Sequence, residues 1–143
     1  MIGKGIVLLF LAIGVIWDLK KKAVPVNYLC VFGIVAIIGF ILDVVNGKKL
    51  LDSVWGLIPG FIVVMLSTLT KEQVGLGDGV ILLCVGCLQS VRDTTCMIFI
   101  ALIMVTVVAM FLLIIRRVGR KATMPFVPFL FLGHLMMIIG GFL

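Results

Sequence analysis

The sequence predicts an all-α fold, a polytopic membrane helical bundle of about six transmembrane helices that forms one domain over residues 1–143. Three observations support this prediction. Apolar residues make up 64% of the chain. The mean hydropathy of +1.42 indicates more apolar surface than one water-soluble core of this size can bury. Short charged or Gly/Pro-rich segments separate the apolar runs, as expected of helices whose backbone groups pair internally in lipid.

Each predicted span follows from the segments that border an apolar run. The first run comes after Lys4 and ends at "WDLKKK". No small-residue cleavage site follows it, so we interpret it as a retained helix rather than a signal peptide. Pro25 precedes the second run, "NGKK" follows it, "TKEQ" follows the third, and "GLGDG" opens the fourth. The predicted spans cover residues 2–17, 26–45, 54–69, 77–90, 95–115 and 125–143.

The basic residues predict the orientation of the bundle. The loops after spans one, three and five carry eight of them: Lys20, Lys21, Lys22, Lys71, Arg116, Arg117, Arg120 and Lys121. The other side carries four: Lys4, Lys48, Lys49 and Arg92. The positive-inside rule places the first set in the cytoplasm and both termini outside, in a cytoplasmic (inner) membrane. The net charge of +6 is thereby explained by topology and contact with anionic lipid, and no nucleic-acid partner is expected.

The acidic residues fall into two groups. Four are expected in solvated loops: Asp43, Asp52, Glu72 and Asp93. The other two differ, because Asp18 ends span one and Asp78 begins span four, both at the cytoplasmic edge. Two nearby carboxylates in a low-dielectric setting cannot both ionise easily and therefore share one proton. One can then take a proton from water while the other donates to a carbonyl oxygen, which is what peptide hydrolysis without a covalent intermediate requires.

Other chemistries are less well supported by the sequence. Cys84 and Cys87 are three residues apart, but a zinc site needs about four ligands, and only His134, Cys30 and Cys96 are left to complete it. Small, weakly polar cysteines suit tight helix packing instead. We therefore expect no metal and no cofactor.

The glycines around Asp78 favour a functional role for that carboxylate. Gly75, Gly77 and Gly79 permit unusual backbone torsions and the close approach of another chain. Acidic side chains at a membrane edge are functional candidates, whereas Asp18 by itself would also be explained as a helix-end charge beside basic residues.

Three motifs resemble those of the type IV prepilin peptidases. "GLGD" at residues 75–78 resembles the Gly-x-Gly-Asp signature of intramembrane aspartyl proteases. "DLKKKAVP" at residues 18–25 resembles the other aspartate motif of the prepilin peptidases, in which a proline follows seven residues after the aspartate. "MPFVPFLFLG" at residues 124–133 resembles the Pro-Phe-x-Pro-Phe stretch that opens their last span. Together with six short spans, the resemblance covers nearly the whole chain.

The resemblance implies that Asp18 and Asp78 are a catalytic dyad acting on a type IV prepilin or pilin-like precursor. It also implies that Gly75, Gly77, Gly79, Pro25, Pro125, Phe126 and Pro128 belong to the motifs bordering the substrate. Departures from the family pattern are Val80, where many members carry lysine, and Val26 directly after the proline. Larger relatives carry a cytoplasmic insertion with paired Cys-x-x-Cys motifs and methylate their product; no such insertion fits here, so we expect neither zinc nor methyltransferase activity.

Several residues have more than one interpretation. Pro125 and Pro128 suit either a simple helix start or a substrate-facing wall. Three successive lysines, residues 20–22, would repel a basic leader peptide and suit lipid phosphates, whereas Glu72 is a candidate contact for such a leader. Two other functions stay open: a presenilin-like protease with other substrates, and a non-enzymatic channel, transporter or assembly subunit that binds cations.

Overall fold

The computed structural model describes residues 2–21, 24–47, 50–69, 75–115 and 125–141, and within these ranges the chain is helical with no strand. The helices are α1 (Ile2–Lys21), α2 (Val26–Val45), α3 (Leu50–Gly56), α4 (Ile58–Leu69), α5 (Leu76–Leu88), α6 (Val91–Ile114) and α7 (Val127–Ile139). The predicted all-α bundle is confirmed, and α2 has the predicted bounds.

The third predicted span is two helices rather than one. The chain turns at Leu57, whose amide donates to the Val54 carbonyl at 3.1 Å, a hydrogen bond three residues back instead of four. Pro59 explains the break, because proline has no N–H to donate and its ring clashes with the preceding turn. The apolar helical segment predicted over residues 54–69 is present, but a turn at Leu57 interrupts it, and helical structure begins earlier than predicted, at Leu50.

The fifth predicted span begins later than the helix that the structure shows. The structure starts α6 at Val91, so Arg92 and Asp93 belong to its first turn and not to a loop. The cause is a helix cap: the Ser90 hydroxyl oxygen accepts a hydrogen bond from the Asp93 amide at 3.3 Å. Serine at this position satisfies one of the amides that a helix start leaves without a partner.

Helix α5 is the centre of the bundle and packs against α1, α2, α3, α4 and α6, whereas α7 lies on α1 and α6. Its side chains Ile81, Leu82 and Val85 are fully buried. Glycines bring the backbones of neighbouring helices close to α5, as is common where helices pack in membranes. A Cβ added at Gly60 of α4, for example, would lie 2.5 Å from the Leu83 amide nitrogen.

The outward surfaces of the bundle are apolar, while several polar side chains are buried. Two helical segments among the described residues are long and apolar enough to cross a membrane, Val26–Val45 and Val91–Leu112. Large apolar side chains on α2, α4 and α6 face outward, including Ile34, Ile37, Ile41, Phe61, Met65, Phe99, Ile103, Val107 and Phe111. The buried polar side chains are Asp18, Ser67, Gln89, Thr94 and His134. This distribution fits a helical bundle in lipid.

The helices differ markedly in length. Helices α5 and α7 have 13 residues each, which corresponds to about 20 Å. Helix α6 has 24 residues, or about 36 Å. Only Gln89 and Ser90 join the end of α5 to the start of α6, and α6 is roughly 16 Å longer than α5.

Candidate active site

Asp18 is buried where α1 meets the beginning of α7. Its side chain is 5% exposed, and its Oδ2 accepts a hydrogen bond from the Val127 amide at 3.0 Å. The Phe126 amide is a second backbone partner of the same carboxylate. Phe126 is the N-cap of α7 and makes no side-chain cap of its own. Asp18 therefore supplies, from another helix, an acceptor for the amides that the start of α7 leaves without a partner.

Close packing around Gly14, one helical turn before Asp18 on α1, supports the contact between Asp18 and the start of α7. A Cβ added at Gly14 would lie 3.2 Å from Cγ1 of Val127 and 3.1 Å from the Tyr28 hydroxyl oxygen, so glycine lets α2 and α7 approach α1. The Tyr28 hydroxyl donates to the Phe10 carbonyl. The rings of Phe10 and Phe32 stack with centroids 4.5 Å apart. These contacts join α1, α2 and α7 directly beside the aspartate.

Asp78 lies in the first turn of α5 and is partly buried. A Cβ added at Gly75, the N-cap of this helix, would lie 3.0 Å from the Asp78 Oδ2. Helices α1 and α5 contact each other, and the Asp18 carboxylate acts electrostatically on that of Asp78. The structure thus brings the two aspartates into one another's field, although they are 60 positions apart in the sequence.

The other two motif glycines occupy different environments. Gly77 faces Val24, whose Cβ would lie 3.6 Å from a Cβ added at the glycine. The end of the "DLKKKAVP" motif therefore packs on the "GLGD" motif. Gly79 is buried against α4, where an added Cβ would lie 3.1 Å from the Val64 amide nitrogen. Gly79 thus belongs to the contact between α4 and α5, whereas a side chain at Gly75 would crowd the Asp78 carboxylate.

The proline motifs begin helices. Pro25 is the N-cap of α2, and its carbonyl accepts from the Tyr28 amide at 3.0 Å. Pro128 lies in the first turn of α7, where a missing N–H removes no helical hydrogen bond. Pro125 and Phe126 directly precede that turn and are partly buried. Glu72, the predicted leader contact, lies outside the described residues.

The sequence reasoning missed the backbone amide of Val127 and the glycine that lets α7 approach. An amide carries no signature in a sequence, because every residue except proline has one. Gly14 did offer a signal, since it lies four residues before Asp18 and therefore on the same face of α1.

A separate polar network lies at the opposite end of the bundle. His134 is fully buried, and its Nε2 is 3.2 Å from the Lys4 carbonyl oxygen, so that nitrogen carries the proton and donates. Nδ1 is then an acceptor for the Gln89 side-chain amide, also at 3.2 Å. The network joins α1, α5 and α7 at the end remote from the aspartates. Within the described part of the chain, no cluster of three or more His, Cys, Asp or Glu side chains has an arrangement suited to a metal ion.

An all-helical bundle with apolar outer faces and two interacting buried or partly buried carboxylates is a membrane-type protein with a candidate acid–base site. The chain belongs to the type IV leader peptidase family, whose family model matches residues 5–110. The match includes both aspartates and ends before the Pro-Phe stretch of α7. No curated protein and no solved structure matches the chain. Family membership identifies the protein as a leader-peptidase-like protease.

Proposed function

We propose that this protein is an aspartyl endopeptidase of the cytoplasmic membrane that removes the short basic leader from type IV prepilin or pilin-like precursors. The observation that carries the proposal is that Asp18 and Asp78 come from different motifs on two helices in contact, α1 and α5, and that the Asp18 carboxylate acts electrostatically on Asp78. Both lie within the region that matches the leader peptidase family.

The proposed reaction uses one water molecule and both carboxyl groups. An ionised carboxylate takes a proton from water as the water oxygen attacks the scissile carbonyl carbon. The partner carboxyl group, still protonated, donates its proton to the carbonyl oxygen, which gives a tetrahedral diol. The carbon–nitrogen bond then breaks, and the departing amine takes the proton that came from water. The other carboxylate takes a proton back from a diol hydroxyl as the carbonyl re-forms, which restores the starting pair. We expect the two carboxyl groups to come within about 4–7 Å of each other with substrate bound.

The proposed setting is a multi-pass topology with the dyad on the cytoplasmic side. The distribution of basic residues supports this orientation, since loops on that side carry eight of the twelve. Peptide hydrolysis there would release the leader into the cytoplasm and leave the hydrophobic segment of the precursor in the membrane. Glu72 remains a predicted contact for the basic leader, and membrane lipid is the other expected partner.

Co-expression with candidate precursors tests the proposal. Precursors with a short basic leader and a glycine before the hydrophobic segment are expressed with the wild-type protein, Asp18→Asn or Asp78→Asn, and product masses are measured. We expect each variant to abolish leader removal, because the two carboxyl groups have separate proton-handling roles. Asp43→Asn, at the far end of α2, is the matched control and should cleave normally.

Two results would contradict the proposal. Full-rate cleavage by either dyad variant, at expression matched to wild type, would exclude the two-aspartate mechanism. Loss of ion-dependent transport in these variants, with no precursor cleaved by the wild type, would favour the non-enzymatic cation-binding function.

A further inference from the structure

We propose that the first turn of α7 is a positioning element of the peptidase site, which keeps Asp18 ionised as the general base and leaves the shared proton on Asp78 as the general acid. This inference rests on the proposed function and assigns a separate role to each aspartate.

The argument begins with the hydrogen bond between the two helices. The Val127 amide donates to the Asp18 Oδ2 at 3.0 Å, and both residues are buried. An N–H donor stabilises the charged form of a carboxyl group, and the positive end of a helix dipole acts in the same direction. Burial excludes water that would otherwise compete for the same oxygen. The start of α7 therefore favours a negative charge on Asp18.

Asp78 lacks this particular support. Within the described part of the chain, no amide from another helix donates to its side chain. It does lie in the first turn of α5, so the dipole of its own helix acts on it. Burial disfavours the charged form of both carboxyl groups, and direct amide hydrogen bonds oppose this effect at Asp18 but not at Asp78. A proton shared by the interacting pair therefore resides on Asp78.

The other groups packed around Asp18 do not reverse this assignment. Helix α2 brings Tyr28, whose hydroxyl is engaged with the Phe10 carbonyl. Helix α5 brings Asp78, and the first two turns of α7 contain no charged side chain. Lys20, on α1 itself, is exposed. The amides of Val127 and Phe126 are thus the close donors that distinguish the two aspartates, and Val127 makes the measured 3.0 Å hydrogen bond.

Packing of the Val127 side chain fixes the position of its amide. Val127 is fully buried, and its Cγ1 lies beside Gly14, one helical turn before Asp18. The same residue therefore anchors α7 on α1 through its side chain and holds the carboxylate through its backbone.

The experiment removes the N–H of residue 127. Incorporation of the α-hydroxy acid analogue of valine replaces this amide by an ester and keeps the side chain, whereas Val127→Pro removes the same donor together with the valine side chain. The same ester substitution at residue 130 is the matched control, because the Leu130 amide donates to the Phe126 carbonyl within α7 and not to a carboxylate. The pH dependence of kcat/KM for precursor cleavage is measured for each folded variant.

We expect the ester and proline variants to move the acidic limb of the pH profile upward by about one pH unit, because the ionised base loses a donor. We also expect kcat to fall by about tenfold through misplacement of the carboxylate. The ester at residue 130 should keep the acidic limb of the wild type. If proline at 127 prevents folding, the ester variant alone decides the matter.

An ester variant with a wild-type acidic limb, while Asp18→Asn and Asp78→Asn are inactive, would overturn the positioning role and leave the peptidase assignment intact. Cleavage by the dyad variants would instead overturn the proposed function, so the two failures are distinguishable.

Discussion

Gly86→Ala tests the packing of α3 against α5, the helix that carries Asp78. A Cβ added at Gly86 would lie 2.1 Å from the Gly56 carbonyl oxygen and 2.8 Å from its carbonyl carbon. Both obstructing atoms belong to backbone and cannot rotate away. The two helices must therefore separate by about 1 Å to restore ordinary van der Waals contact, and overpacking of this kind destabilises by about 1–3 kcal/mol.

Gly33→Ala in the middle of α2 is the matched control. No atom lies within 4 Å of the position that its Cβ would take. Replacing an unobstructed helical glycine by alanine stabilises by up to about 1 kcal/mol. We therefore expect Gly86→Ala to be less stable than Gly33→Ala by about 1–3 kcal/mol, since the gain in helix propensity is similar in both.

Unfolding by SDS in mixed micelles measures this difference, with Trp55 as the fluorescent reporter in a Trp17→Phe background. Trp55 adjoins Gly56 on α3 and is 56% exposed, so movement of α3 also changes its emission in the folded state. Equal midpoints for Gly86→Ala and Gly33→Ala, with unchanged emission, would refute the close contact between α3 and α5.

Two further predictions concern activity. Gly77→Leu should impair cleavage, because the leucine side chain must fit against Val24 where the two aspartate motifs meet. Gly77→Ala, whose Cβ makes ordinary contact, should cleave nearly normally in the same mass assay. Equal cleavage rates for the leucine and alanine variants would contradict this reasoning. Replacement of all four cysteines by alanine or serine should leave proteolysis largely intact, since the mechanism needs neither thiolate nor metal. Inhibition by a zinc chelator, or a loss specific to folded Cys84 and Cys87 variants, would restore the metal interpretation.

The sequence predicted most of the helices because their apolar runs are bounded by strong local signals. The bounds of α2 follow from Pro25 and the "NGKK" turn. Errors arose where one residue redirects the backbone inside or beside an apolar run. Pro59 interrupts the third span, and Ser90 caps α6, which therefore starts at Val91, four residues before the predicted start.

The candidate site was predictable in its side chains and not in its backbone. The apolar periodicity of span one does not indicate which helix packs beside Asp18. An up-and-down order of spans does not by itself place spans one and four, and therefore Asp18 and Asp78, side by side. The family resemblance supplied that pairing. The amide of Val127 and the role of Gly14 depend on which helix faces α1, and this is fixed by packing between segments far apart in the chain.

The short helices α5 and α7 have a consequence for water supply in the proposed reaction. Helices of about 20 Å are shorter than a hydrocarbon core of about 30 Å, whereas α6 is long enough to cross it. Helix α5 is enclosed by other helices, so the mismatch with lipid acts at α7, which presents Met136 and Ile139 outward. There it draws the headgroup layer inward beside the helix whose first turn holds Asp18. We expect a locally thin bilayer to bring the water that hydrolysis consumes close to the carboxylates, so that the acyl-chain length of the surrounding lipid influences the proposed reaction.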